Sequence, residues 1–282
     1  MKLRMLPAAL ALGSTLLAGN AAAIVVGGVD FGPQGGPPLQ QHLETTTVAE
    51  TVILDDNQEI FAYGQINTVN GLINYTTTPG ERLYFYLDNY MSQAFNTVAG
   101  VGTVEFRDGR IELFIGPEIN LLNQNSPTNV TTIQGYTPWV AVEGHADISP
   151  TALANSTLAA EGSLTGATID FSGAGLLDIV SGFGDPAVQA FLDANTIADF
   201  AGGFADIALT TSADNFVPNS FDVADGLCND PPQVGDWCLQ GSADYRGNTV
   251  INGPEPSIMA LMGMGLLGAG AVSARRRRAR KA

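Results

Sequence analysis

Near its C-terminus the chain carries eighteen consecutive residues without a charge, Ser257 to Ala274 (SIMALMGMGLLGAGAVSA), followed at once by Arg275, Arg276, Arg277, Arg278, Arg280 and Lys281. This run constrains the fold more than any other feature, because it divides residues that can pack in water from residues that cannot. As a helix it extends about 27 Å, enough for a thin bilayer core. The cationic block behind it resists translocation. A single transmembrane helix over 257–274 with a stop-transfer tail is expected.

The other end is also marked for export. Met1-Lys2-Leu3-Arg4 is a short basic start, Met5 to Leu17 is apolar, and small residues lead through Ala21 to Ala23. That order is a secretory signal, with signal peptidase expected to cut after Ala23. Its apolar stretch is shorter than the ~20 residues needed to span a membrane. Residues 1–23 are therefore taken as a signal peptide. A basic tail for nucleic acid fits poorly beside an export signal, and no nucleic-acid partner is expected.

Just before the uncharged run stands Pro254-Glu255-Pro256. The motif, the apolar segment and the arginine cluster, in this order over 253–282, resemble the PEP-CTERM sorting signal of Gram-negative bacteria. The resemblance implies recognition by an exosortase and a membrane-anchored precursor, held transiently in the inner membrane by the C-terminal helix. It also implies delivery to the cell surface or extracellular matrix, in organisms that make exopolysaccharide. Gly253 departs from the small aliphatic residue often found before the motif. A shorter stretch, Phe171 to Asp178 with Leu192 to Thr196, is similar to flocculation-associated PEP-CTERM proteins.

Between the two ends lie a Gly/Pro-rich leading segment, 24–47, and a β-rich domain, 48–252. The domain's only basic residues are Arg82, Arg107, Arg110 and Arg246. Against the 27 acids of 24–252, where these four are also the only basic residues, they leave a formal charge of −23, well beyond the −16 of the whole chain. Such a surface repels nucleic acid and anionic lipid and attracts divalent cations or basic partners. The acids are scattered, so solubility alone accounts for them.

Strand patterns recur along the domain. Glu50–Leu54 and Ile60–Val69 flank the polar Asp55-Asp56-Asn57, and Arg82–Leu87 follows. In Gly102–Ile115 apolar and charged residues alternate on both sides of Asp108-Gly109, which predicts a tight hairpin turn there. Trp139–Glu143, Gly166–Phe171, Phe204–Thr211 and Asp244–Ile251 continue the pattern. One helix is predicted, capped by Asp185, opened by Pro186 and ending near Asn195. The fold class is all-β, an antiparallel β-sandwich or jelly-roll-like domain with one short helix.

Cys228 and Cys238, the only cysteines, are expected to form a disulfide in an exported protein. The only histidines are His42 and His145, and neither a Gly-x-Ser-x-Gly elbow nor a His-Glu-x-x-His helix occurs. Serine and zinc hydrolases are thus disfavoured, and no catalytic residue is assigned. A glycoside hydrolase needs only two carboxylates, with Tyr84, Tyr86, Tyr90 and Trp139 available to stack on sugars. Ordinary strand packing explains these aromatics better. Asp55 and Asp56, and Asp222 and Asp225, are weak calcium candidates that lack EF-hand spacing; turns favour Asp for backbone reasons. Calcium apart, no cofactor is expected. The expected function is a non-catalytic surface or matrix protein contributing to biofilm or floc structure. A calcium-assisted exopolysaccharide-binding module is the alternative, and a secreted glycoside hydrolase comes third.

Overall fold

A computed structural model describes residues 23–33, 40–165, 168–215, 228–229 and 231–249, all within a unit spanning 22–250. Ala21, the sorting motif, the 257–274 segment and the basic tail lie outside these residues. Among the described residues no helix is long and apolar enough to cross a membrane.

The chain opens with β1 (Ala23–Val26), β2 (Val29–Pro33) and β3 (Gln40–Thr51), followed by β4 (Glu59–Gln65) and β5 (Thr68–Val69). Two long strands come next, β6 (Glu81–Val98) and β7 (Val101–Pro117), and then helix α1 (Ser126–Gln134). After it run β8 (Thr137–His145), β9 (Ser156–Thr165), β10 (Thr168–Gly184) and helix α2 (Pro186–Leu192). A small hairpin, β11 (Ile197–Ala198) and β12 (Phe204–Ala205), precedes β13 (Ile207–Asp214) and β14 (Trp237–Asn248).

Each long strand pairs antiparallel with its neighbour in the chain. β3 pairs with β4, β4 with β6, and β6 with β7. Strand β7 meets β9 over Val101–Arg107 and β8 over Arg110–Ile115, so β8 and β9 lie end to end as one stave. Both pair with β10, which pairs with β13, which pairs with β14. Strand β14 then returns to β3 and closes the ring. The all-β class therefore holds, and the facing layers expected of a sandwich are opposite walls of one closed sheet of eight staves. The up-and-down order replaces the long crossovers that a jelly roll requires.

The expected hairpin at Asp108-Gly109 is not a chain reversal. Strands β6 and β7 turn instead at Ala99-Gly100, with φ of 53° and 83° and Val98 opposite Val101. Asp108 and Gly109 lie within β7 at φ of 61° and 97°, facing a left-handed Asn89 in β6. Pairing continues on both sides, Asp88 opposite Arg110 and Tyr90 opposite Asp108. Positive φ suits a kink as well as a turn, and the long ladder selects the kink.

Other expectations also shift. In the leading segment 24–47, residues 23–33 form a hairpin and Gln40–Thr51 the first stave, rather than a loose stretch. The predicted helix is present as α2, with the Asp185 carboxylate accepting from Ala187 N–H at 2.7 Å. A second helix, α1, was not predicted, because Val130, Thr131, Thr132 and Ile133 favour strands. Asn125 caps it by accepting from Thr128 N–H, and its Ile133 is buried against the barrel.

Strand alternation sorts the core into two sides. Leu83, Phe85 and Leu87 of β6 face the barrel interior, while Tyr84 and Tyr86 face outward beneath α1 and the loop before it. There the Tyr63 hydroxyl meets Ser126 Oγ at 2.9 Å and accepts from Asn129 Nδ2 at 3.0 Å. One end of the barrel is plugged by the β1–β2 hairpin and α2. Phe31 stacks on Trp139 and packs on Phe191, and the Trp139 indole donates to the Gly27 carbonyl at 2.9 Å.

Gly109 lies under the Tyr90 ring, where an added Cβ would come within 2.3 Å of it. Gly109→Ala is therefore expected to destabilise the barrel by about 2 kcal/mol or more, from positive φ and overpacking combined. Urea unfolding of the two proteins checks this.

Candidate functional site

At the end opposite the plug, the closed sheet leaves an apolar cavity of about 80 Å³ walled by residues from all eight staves. Half-buried Ile53, Ile60, Phe95 and Phe171 form its rim, and buried Ala62 and Phe85 lie deeper. An eight-stranded barrel is just wide enough for its side chains to fill, or to hold one small ligand. A second void of about 20 Å³ lies toward the plug, with Tyr245 lining both.

One carboxylate faces this space. In Val48-Ala49-Glu50 the alternation turns Val48 and Glu50 inward, and Glu50 is only 8% exposed. Burial pushes its carboxyl up to about 7, against a hydrogen bond with Thr211 that opposes the rise. Glu50 in turn helps raise the phenol of Tyr245, whose burial is the larger cause. Nearby, the Tyr90 hydroxyl is fully buried and has no hydrogen-bond partner.

The histidines occupy different places. His145, at the end of β8, has Nδ1 at 2.7 Å from Asp178 Oδ2 and Nε2 at 2.9 Å from Asp199 Oδ2. Partial burial disfavours its charge, but the bonds to Asp199 and Asp178 outweigh this and raise its pKa. The bond from His145 in turn holds Asp199 below the usual carboxylate range. While it is protonated, the imidazole donates from both ring nitrogens to these carboxylates and has no lone pair to act as a base. It clips β8 and β10 to the β11–β12 hairpin, where Asp199 also accepts from Gly202 and Gly203 N–H. His42, on the wall where β3 meets β14, has Nε2 3.3 Å from Glu44 Oε1 and beside Asp244 Oδ1.

The residues singled out in the sequence do not gather into one site. Cys228 and Cys238 form the expected disulfide, with their Cα atoms 5.0 Å apart. Asp55 and Asp56 serve their own loop: Asp55 Oδ1 accepts from Asp56 N–H, and Asp56 Oδ1 from Phe95 N–H. Among the described residues no group of three His, Cys, Asp or Glu is placed to hold a metal ion. Asp222 and Asp225 lie outside those residues. Tyr84, Tyr86, Tyr90 and Trp139 are all buried at 9% exposure or less, so they pack rather than stack on sugars. Glu50 escaped the sequence analysis, although an acid at the inward parity of an apolar strand was a visible signal. The partners of His145 lie 33 and 54 residues away along the chain and left no such trace.

The model of one family, described as the PEP-CTERM protein-sorting motif, matches residues 254–278. No curated protein and no solved structure matches the chain.

Glu50 binds its proton more tightly when folded than when unfolded. From pH 4.5, its ordinary value, to about 7, the unfolded chain loses this proton first, so stability falls as pH rises and levels off above. Glu50→Gln removes that loss. Its stability relative to the parent should improve by roughly 3 kcal/mol between pH 4 and pH 8, read from denaturant midpoints. The His145 clip has the opposite source. Its contribution is complete below pH 6.5 and is lost as pH rises through the raised value. An NMR titration should place His145 above 6.5, and His145→Asn should cost about 1 kcal/mol at pH 6 and less at pH 9.

Proposed function

We propose, from the premise that this is a PEP-CTERM sorting domain-containing protein, that it is a non-catalytic surface or matrix component contributing to biofilm or floc structure. The motif marks the chain for exosortase processing and for a cell-surface or extracellular location. We place it in a Gram-negative host, exported by its N-terminal signal and held as a membrane-anchored precursor through 257–274 until processing. The single observation that carries this is the motif at 254–278, joined to an acidic closed barrel.

The body suits life outside the cell. A closed sheet presents no unpaired edge on which another chain can aggregate. Its lysine-free composition, with 27 acids against four arginines over 24–252, keeps it soluble. His145 is doubly bonded to carboxylates and the aromatic candidates are buried, which supports the non-catalytic assignment. Exopolysaccharide is the matrix component we assign as its neighbour. A polyanionic protein approaches an anionic polymer only with a screening cation, which is where calcium enters.

Deleting residues 254–282 should remove the protein from the cell surface and reduce floc or biofilm cohesion, measured by surface protease accessibility and by settling. Unchanged surface retention would sink the sorting assignment. Normal localisation in the parent, with cohesion unaffected by loss of the whole gene, would sink the matrix assignment.

A further inference from the structure

We propose that the open end of the barrel binds a small aliphatic amine, with its chain in the apolar cavity and its ammonium group on the Glu50 carboxylate. Geometry, size and charge all point to this class of ligand.

The cavity walls are apolar side chains from every stave, with a half-buried rim at the end away from the plug. Glu50 is the only acid in that wall, and no lysine, arginine or histidine stands with it. The Thr211 hydroxyl beside it donates to the Ser242 carbonyl at 3.1 Å. A carboxylate placed so weighs against the fold, since an aliphatic residue of similar volume would fill the space and stabilise it. Its presence is explained by a cation that arrives from outside. A second polar residue lies behind the wall, outside the lining. Tyr90, whose hydroxyl has no partner, packs edge-on to the cavity-lining Phe106 with ring centroids 6.3 Å apart.

Size limits the chain. One water needs roughly 10–15 Å³ of such a cavity, so about 80 Å³ takes roughly five to eight heavy atoms, the size of pentylamine or hexylamine. Charge selects the head group. A carboxylate ligand is repelled by Glu50, and an alcohol leaves its charge unmatched. An ammonium pairs with it in a water-poor site, where such a pair is strongest. The excess of 27 acids over four arginines across 24–252 concentrates small cations near the mouth.

Calorimetric titration of the full chain, with its disulfide formed, tests the proposal using hexylamine, hexan-1-ol and hexanoate at pH 7.5. One saturable site is expected for hexylamine, at least about tenfold tighter than for the other two. Glu50→Gln, which keeps the shape of the wall, should weaken hexylamine by about tenfold or more and leave hexan-1-ol unchanged. Ala62→Leu fills the cavity with Glu50 intact and should abolish binding of all three. Near-UV circular dichroism confirms that each variant is folded. Equal affinity for amine and alcohol, or preference for hexanoate, overturns the assignment of the head group. Hexylamine binding unchanged in Glu50→Gln or in Ala62→Leu overturns the site, since the amine would then be held by acids on the outer surface.

Discussion

The ladder between β14 and β3 holds the architecture together. It joins the last strand of the described chain to the first stave, from Trp237 opposite Thr51 to Asn248 opposite Gln40. Without it the sheet would be an open meander with two exposed edges and an uncovered inner face. With it, every stave has two neighbours, and one set of side chains packs inside a ring. The interior, the plug, the cavity and the position of Glu50 all follow from that closure.

Closure also creates the tension that defines the site. The ring is wide enough that its side chains fill one half and leave the other partly empty. Toward the plug, Phe31, Trp139, Val188 and Phe191 complete the packing. Away from it nothing equivalent enters from the described residues, and the inward position of β3 carries Glu50 instead of an aliphatic residue. The outer wall is treated differently. Tyr63, Tyr84 and Tyr86 would leave a large aromatic face in water if α1 did not cover it, with Asn129 satisfying the Tyr63 hydroxyl. A strand such as Leu83–Leu87 is therefore buried on both sides, which is why it reads as an unbroken apolar and aromatic run.

Charge adds a second level of organisation. Four arginines cannot pair with 27 acids, and several carboxylates instead accept from backbone and side-chain N–H groups. Asp236 accepts from Gln233 N–H and from both the backbone and the side chain of Asn229, beside the disulfide. Asp199 accepts from two glycines as well as from His145. Loops fixed in this way need no lysine.

The sequence by itself determined the export address, the disulfide, the all-β class and helix α2. Each of these rests on neighbouring residues: an uncharged run beside arginines, two cysteines ten apart, period-two alternation, an Asp-Pro helix start. It could not determine whether Asp108-Gly109 reverses the chain or kinks it, because both need the same positive φ and only the ladder on either side decides. It gave no sign of α1, whose β-branched residues become helical by burying Ile133 against the barrel. The meeting of His145 with Asp178 and Asp199, and of Glu50 with Thr211 and Tyr245, was decided by tertiary structure alone. Those contacts join staves to one another or to the β11–β12 hairpin, and the order of the staves around the ring is set by hydrogen-bonded closure, a long-range constraint that local residue patterns do not encode.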